Sequence, residues 1–172
     1  MFYREERLAL FIDGSSTYTA CKEIGLDIDY KRLREVFSQK SRLIRIGYYA
    51  SVLENGEHPS ARAVLDWMSY NGFHVTTKTA REYVDDQGQR RVKGSMEVDI
   101  AVDMMALAQR MDHAVLVSGN GDFVPVVAGL QQQGVRVSVL AAARVTSDAL
   151  KRQADNIIDL NEYRGKLSRD RN

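Results

Sequence analysis

The sequence predicts an α/β fold, in which helices cover both faces of a mostly parallel central sheet to form a three-layer sandwich. Two observations support this prediction. Short apolar runs typical of buried strands alternate along the chain with segments of helical length, and such alternation predicts βαβ units. Hydrophobic residues make up 44% of the 172 residues and only 2 residues are proline, so the chain is long and apolar enough to form a core.

The predicted elements follow one another in a regular order. The first strand, residues 8–13 (LALFID), is apolar until it ends on a carboxylate. A helix over residues 29–40 follows, with Asp29 as a favourable N-cap and its apolar residues on one face. Further strands are predicted at residues 42–50, 73–80, 113–118, 135–142 and 156–160, and further helices at residues 59–72, 96–111, 124–134 and 146–155. Trp67 lies on the apolar face of its helix, which predicts a place in the core.

Composition and charge limit the domain organisation and the partners. The length predicts one domain, residues 1–165, followed by a charged tail, residues 166–172. The lone cysteine, Cys21, excludes an internal disulfide and is typical of the reducing cytoplasm. Apolar runs stay well short of the roughly 20 residues that span a bilayer, so we expect a cytoplasmic protein with no membrane partner. Since the net charge is +1, a polyanion must be bound by a local patch.

Residues 81–95 interrupt the alternation between the third strand and the next helix. The turn signal Asp86-Gln87-Gly88 lies in the middle of this segment and predicts a hairpin-like excursion. The segment also contains the densest basic cluster of any loop, formed by Arg81, Arg90, Arg91 and Lys93. The cluster is either a solvated surface or a set of contacts to the phosphates of a nucleic acid.

Polar side chains follow two strands at the point where each strand ends. In a doubly wound sheet, ligands bind outside the carboxyl ends of the strands, near the point where the strand order reverses. The first strand ends at Asp13, and the fourth ends at Ser118 and continues into Gly119-Asn120-Gly121-Asp122. The two glycines allow a sharp turn and a close approach of the backbone to a ligand. Asp122 is placed to cap the next helix, to bind a ligand, or to do both.

The helix at 96–111 carries two further carboxylates. Asp99 and Asp103 are spaced i and i+4, which places them on one helix face. The helix is apolar nearly all round and is therefore predicted to be largely buried, so the two carboxylates need either a basic partner or a cation. Together with Asp13 and Asp122 they form an oxygen-ligand set without His or Cys, which suits Mg²⁺ or Mn²⁺ rather than Zn²⁺.

Three segments resemble the motifs of NYN domains, in the LabA-like branch of the PIN-like nuclease superfamily. They are residues 8–16 (LALFIDGSS), 93–105 (KGSMEVDIAVDMM) and 115–127 (VLVSGNGDFVPVV), and the resemblance extends over residues 7–160. The resemblance implies a compact Rossmann-like, PIN-like domain whose acidic cluster binds a divalent metal and cleaves RNA.

The resemblance also implies roles for individual residues. By position, the catalytic and metal-binding acids are Asp13, Asp99, Asp103 and Asp122, and Lys93 matches a basic residue ahead of the second motif. The chain departs from the family at Ser16, where Asn is usual, and at Asn120, where Asp is usual. Asn120 offers a metal a carbonyl oxygen but no charge, so weaker binding of Mg²⁺ is expected. Ser118 is expected to orient Asp122 or a metal-bound water, and Ser16 is expected to support the site as well.

The sequence therefore predicts a Mg²⁺- or Mn²⁺-dependent ribonuclease that acts on single-stranded RNA. The metal would activate a water and neutralise charge on the phosphoryl group, while the basic cluster at 81–93 binds the RNA backbone. Tyr83, in the same segment, either packs against the protein or stacks on a base. A homodimer is a further hypothesis, since the tail and the basic segment would lengthen an RNA track across two subunits.

Two alternatives stay open at this stage. A catalytically weak or inactive NYN-like protein would bind RNA and act in regulation, because Ser16 and Asn120 replace usual site residues. A von Willebrand A-type binding module would use the segment Asp13-Gly14-Ser15-Ser16-Thr17, which nearly matches Asp-x-Ser-x-Ser, to hold Mg²⁺ for a partner's carboxylate. The second alternative leaves Asp99 and Asp103 unexplained.

Overall fold

The computed structural model describes residues 1–53 and 59–169, apart from the side chains at 53, 59–61, 82 and 90–93. The strands in this part of the chain are β1 (Arg7–Asp13), β2 (Arg42–Leu53), β3 (His74–Val84), β4 (Arg90–Lys93), β5 (His113–Val117), β6 (Arg136–Ala141) and β7 (Asn156–Asp159). They form one sheet of order β4-β3-β2-β1-β5-β6-β7, in which β3 and β4 pair antiparallel and all other neighbours pair parallel. The predicted α/β fold with a mostly parallel sheet is confirmed.

Helices pack on both faces of this sheet. They are α1 (Gly14–Ile24), α2 (Tyr30–Lys40), α3 (Pro59–Tyr70), α4 (Glu97–Leu107), α5 (Val124–Gln132), α6 (Asp148–Gln153) and α7 (Arg164–Leu167). One apolar core lies between the sheet and α1, α2, α3 and α7, and the other lies between the sheet and α4, α5 and α6. Side chains of β1 alternate between the two: Leu10 and Ile12 belong to the first core, and Ala9 and Phe11 to the second. By the same alternation, Asp13 lies on the α4 side.

The strand order places a crevice between β1 and β5. The chain runs outward from β1 through β2 to β3, then crosses back to β5 on the other side of β1. Ile12 of β1 is paired with Val117 of β5, so the two strands end at the same level. The residues that follow, Asp13 and Ser118, therefore meet at the point where ligands bind in doubly wound sheets.

Two helices were not predicted from the sequence. The segment that forms α1 lacks an apolar stripe, and the helix begins directly after β1 because Asp13 serves as its N-cap and accepts a hydrogen bond from the Ser16 N–H. It ends at Gly25, whose φ of +63° is the left-handed conformation typical of a helix C-terminus. The short helix α7 begins before the predicted tail, and Leu167 within that tail is buried in the first core.

Helix α4 is less buried than its composition predicts. Ile100 and Met104 are fully buried, but Val98 is 70% exposed and Val102 is 61% exposed. A helix in the outer layer of a sandwich has only one face against the sheet, so apolar residues on its other face stay in contact with water. Among the described residues, none of the helices has the length and apolar character needed to cross a bilayer.

Candidate functional site

Asp13 is the centre of the polar group at the β1–β5 crevice. Its side chain is only 3% exposed. Oδ1 accepts hydrogen bonds from the Ser15 hydroxyl at 3.0 Å and from the Ser16 N–H at 3.2 Å, and Oδ2 accepts one from the Ser118 hydroxyl at 2.9 Å. These donors compensate for the loss of water around a buried carboxylate. The arrangement fixes the orientation of the carboxylate at the strand end.

The two serines predicted to support the site connect its two loops. Ser118 donates to Asp13 and accepts a hydrogen bond from the Asn120 N–H at 3.2 Å, and Ser16 accepts one from the Gly119 N–H at 3.0 Å. Gly119 and Gly121 serve close packing rather than a positive φ, because their φ angles are not in that region. A Cβ on Gly119 would lie 2.9 Å from a backbone carbonyl, and a Cβ on Gly121 would lie 2.7 Å from the Ser147 hydroxyl.

Asn120 lies between two carboxylates. Its Nδ2 donates a hydrogen bond to Glu97 Oε1 at 3.1 Å and lies 3.5 Å from Asp122 Oδ2. Its Oδ1 accepts from the Asp122 N–H at 3.0 Å, which caps the short 3₁₀ turn Gly121–Phe123. The other oxygen of Glu97, Oε2, is buried without a hydrogen-bond partner among the described residues. A buried carboxylate oxygen without a donor is costly, so Glu97 marks a place suited to a cation.

Sequence reasoning missed Glu97. The i, i+4 spacing directed attention to Asp99 and Asp103, although Glu97 lies in the first turn of α4, which begins at the carboxyl edge of the sheet. Each further residue of a helix moves about 1.5 Å along its axis, so Asp103 lies about 9 Å farther along than Glu97. Acidic residues in the first turn, next to the helix N-terminus, are Glu97 and Asp99, so this signal would have added Glu97 to the candidates without excluding Asp99.

Asp99 and Asp103 have partners of their own. Lys78 of β3 donates to Asp99 Oδ2 at 2.6 Å, and the Tyr49 hydroxyl donates to Asp103 Oδ2 at 2.8 Å. Tyr49 is 1% exposed, and burial together with the nearby Asp103 raises the pKa of its phenol. Within the described residues, the hydrogen bonds of these two carboxylates do not reach Asp13. The structure therefore brings Asp13, Asn120 and Asp122 into one loop group but connects Asp99 and Asp103 to other strands.

Comparison with known proteins identifies the family. The family model described as "NYN domain" matches residues 7–161. The chain belongs to the NYN domain family. NYN domains are part of the PIN-like nuclease superfamily, which supports a nuclease-type function and confirms the resemblance seen in the three motifs. The von Willebrand A-type alternative is not supported by this family assignment.

Two relatives and one solved structure are similar to this NYN domain over most of its length. The chain is 26% identical over 172 residues to the low amplitude and bright protein LabA of Synechococcus elongatus, a match that covers 98% of this chain and 91% of that protein. It is 26% identical over 160 residues to the uncharacterized protein MJ0482 of Methanocaldococcus jannaschii, covering 92% and 57%. The crystal structure of VPA0982, a protein of unknown function from Vibrio parahaemolyticus, matches with a TM-score of 0.78 and 27% identity over 95% of this chain and 97% of that one.

PIN-like nucleases generally depend on a divalent metal, so the donors of this NYN domain were compared with what such an ion requires. Among the described residues, no group of three or more His, Cys, Asp or Glu side chains is arranged to hold an ion. The oxygen donors at the crevice nevertheless match the preference of Mg²⁺, and Glu97 Oε2 is an oxygen without a partner. The amide nitrogen of Asn120 lies between the carboxylates of Glu97 and Asp122. The oxygen donors fit a hard cation, but this amide nitrogen would have to move before an ion could bind both carboxylates.

The basic segment of this NYN domain forms the hairpin that its turn signal predicted. β3 and β4 pair antiparallel, with Val84 opposite Arg90. Tyr83 is 50% exposed on the hairpin and Arg81 is also exposed. The side chains of three predicted RNA contacts, Arg90, Arg91 and Lys93, lie outside the described part of the chain. The Ser51 hydroxyl donates to the carbonyl of Gly94 and thereby connects the end of the hairpin to β2.

Proposed function

We propose that this NYN domain hydrolyses phosphodiester bonds of single-stranded RNA with the help of Mg²⁺ or Mn²⁺. The observation that carries the proposal is the unpartnered, buried Oε2 of Glu97 beside Asn120. It lies at the crevice to which doubly wound folds bring their ligands. Membership of the NYN family, whose nucleases generally act on RNA, supports the same reaction.

Each residue of the crevice has a definite task in this proposal. Asp13, Glu97 and Asp122 would hold the cation, and Asn120 would add its side-chain carbonyl once its amide turns away from the two carboxylates. A bound Mg²⁺ or Mn²⁺ supplies an activated water and neutralises charge on the phosphoryl oxygens. Ser118 keeps the Asp13 carboxylate in one orientation through its 2.9 Å hydrogen bond. The serine therefore contributes by positioning an acid rather than by touching the RNA.

The remaining predicted residues keep supporting roles. Asp99 and Asp103 were also predicted to bind the metal, but in this proposal their pairing with Lys78 and Tyr49 leaves them outside the cation's ligands. The proposed contacts to the RNA backbone and bases are Arg81, Tyr83, Arg90, Arg91 and Lys93. The exposure of Tyr83 favours base stacking over packing.

A matched pair of variants tests which acids belong to the site. Cleavage of labelled single-stranded RNA is measured with Mn²⁺, Mg²⁺ or EDTA for the wild type, Glu97→Gln and Asp99→Asn. Glu97→Gln is expected to lower the rate by about two orders of magnitude, because several kcal/mol of charge stabilisation depends on the metal. Asp99→Asn, the control, removes the same charge from a residue paired with Lys78 and should retain most activity. If Asp99→Asn loses more activity than Glu97→Gln, the acids predicted from helical spacing, Asp99 and Asp103, belong to the site instead.

A second function, RNA binding with little turnover, is favoured by one observation. The Asn120 amide nitrogen donates to Glu97 and lies where a cation bound to that carboxylate would be expected. If this alternative holds, the wild type binds RNA but does not cleave it with either metal, while Asn120→Asp gains cleavage. Cleavage by the wild type that is abolished by EDTA and by Asp13→Asn excludes it.

A further inference from the structure

Helix α3 presents an aromatic face to solvent. Trp67, the only tryptophan of the chain, was predicted to lie in the core but is 38% exposed. Val64 is 37% exposed and Tyr70 is 90% exposed, and the spacing of three residues places all three on one side of the helix. Among the described side chains of α3, only Met68 is buried. The outward face of α3 is therefore available for a partner.

Two concavities adjoin the indole of Trp67. One, of about 370 Å³, is also lined by Tyr30, Lys31 and Arg169. The other, of about 320 Å³, is also lined by Lys31 and Arg34. Together they form a groove between α2 and α3, in which Trp67 lies near both basic and acidic side chains.

Basic side chains outnumber acidic ones along the groove. Lys31 and Arg34 of α2 and Arg169 line it, with Asp29 and Glu35 as the acidic lining residues. Arg34 donates to the carbonyl of Asn71 at 2.7 Å, which holds its guanidinium across the end of α3. Lys31 is exposed, and Arg169 at the other end is 53% exposed and lies 3.9 Å from Asp27 Oδ1. Cations beside an exposed indole suit a single-stranded nucleic acid, whose bases stack while its phosphates bind cations.

The groove is connected to the crevice through two tyrosines. Tyr30, which lines the groove, packs edge-to-face on Tyr48 with ring centroids 5.4 Å apart. The Tyr48 hydroxyl lies 3.0 Å from the position that a Cβ on Gly14 would occupy, and Gly14 follows Asp13. These packing contacts place the start of α2 near the carboxyl end of β1, on the face of the sheet opposite α4.

We propose that the α2–α3 groove binds single-stranded RNA outside the crevice, with a base stacked on Trp67. Lys31, Arg34 and Arg169 bind its phosphates. This inference rests on the proposed function and adds to it a second contact surface for the substrate. It also explains why the one tryptophan of the chain lies partly in solvent between basic side chains.

Intrinsic fluorescence tests the groove directly, because all tryptophan emission comes from Trp67. Oligouridylate is titrated into the wild-type protein in EDTA, where metal-dependent cleavage is absent. Saturable quenching that weakens as salt rises is expected, whereas inorganic polyphosphate, which has no bases, should quench much less. Affinity for labelled oligouridylate should fall about tenfold in Trp67→Ala, because one stacked base contributes about 1–3 kcal/mol. Trp67→Phe should retain most of it.

Two further variants keep the test independent of folding defects. Lys31→Glu alters an exposed side chain and should weaken binding, while Tyr3→Ala removes an exposed aromatic residue outside the groove and should not. Absence of quenching together with unchanged affinity in Trp67→Ala and Lys31→Glu would refute RNA binding in the groove. Equal quenching by polyphosphate and RNA would refute the stacking of a base on Trp67.

The outcomes also distinguish RNA binding in the groove from the proposed nuclease activity. Quenching without cleavage in either metal supports RNA binding in the groove and refutes the nuclease activity. Cleavage without quenching supports the nuclease activity and refutes binding in the groove.

Discussion

Replacement of Asn120 by Asp tests the electrostatics of the crevice. The Asn120 amide nitrogen donates to Glu97 Oε1 at 3.1 Å and lies 3.5 Å from Asp122 Oδ2. In Asn120→Asp a carboxylate oxygen takes the place of this nitrogen. Two attractive contacts between the amide and the neighbouring acids then become two contacts between like charges.

The magnitude follows from these distances. A hydrogen bond to a charged group contributes about 1.5–3 kcal/mol, and two like charges about 3 Å apart repel by about 5 kcal/mol at an effective dielectric constant of 20. Asp122 is exposed and its side chain is free to rotate into water, which removes much of the repulsion. We therefore expect the free energy of unfolding of metal-free protein at neutral pH to fall by about 2–3 kcal/mol, which lowers Tm by about 5–10 °C.

The assay is thermal unfolding of the wild type and Asn120→Asp in EDTA and in excess Mg²⁺. A cation that binds only the folded state stabilises it, and the additional carboxylate should make this stabilisation larger in the variant. Asn120→Ala is the matched control: it removes the amide donor without adding charge, so it should lose stability in EDTA without gaining a stronger response to Mg²⁺. If Asn120→Asp unfolds at the wild-type temperature in EDTA and responds to Mg²⁺ as the wild type does, then Glu97, Asn120 and Asp122 do not act as one electrostatic unit.

Three further predictions concern stability. Tyr49→Phe removes the hydrogen bond to Asp103 and should lower the free energy of unfolding by about 1–2 kcal/mol, measured by urea denaturation, without abolishing cleavage. Burial, together with Arg136, lowers the pKa of His113 to about 4. At a pH below the usual histidine pKa near 6.5, His113 therefore takes up a proton when the protein unfolds. Stability should therefore fall by about 3 kcal/mol as pH drops from about 6.5 to about 4, and His113→Gln should lack this part of the loss. Gly119→Ala places a Cβ 2.9 Å from a backbone carbonyl and should cost about 1–3 kcal/mol in the same denaturation assay.

Each of these has a result that would contradict it. Loss of cleavage in Tyr49→Phe with unchanged stability would assign Asp103 to the chemistry rather than to packing. Identical pH profiles for the wild type and His113→Gln would mean that the imidazole titrates normally in the folded protein. Wild-type stability of Gly119→Ala would show that the loop shifts freely away from the β6–α6 connection.

Much of the fold follows from local sequence patterns. Apolar runs of strand length alternate with helical segments, and a parallel sheet is the arrangement that buries such strands on both faces. The carboxyl ends of β1 and β5 were identified as the crevice because each strand runs directly into polar residues there, at Asp13 and Ser118. These features depend on residues close together in the chain, so the sequence alone determined them.

Other features depend on contacts between distant segments. Helical spacing groups Asp99 with Asp103, but only the tertiary structure shows that Lys78 and Tyr49 meet them and that Glu97 reaches Asn120. Periodicity reports which residues share a helix face, not which end of the helix lies at the sheet edge or which side chains arrive from other strands. Similarly, α3 has an apolar face in sequence, and packing alone decided that this face lies beside a basic helix and in contact with water. The sequence by itself thus determined the sheet, the crevice and the family of this protein. Tertiary structure decided which acids share a site and which side chains line the α2–α3 groove, because both depend on which segments the fold brings into contact.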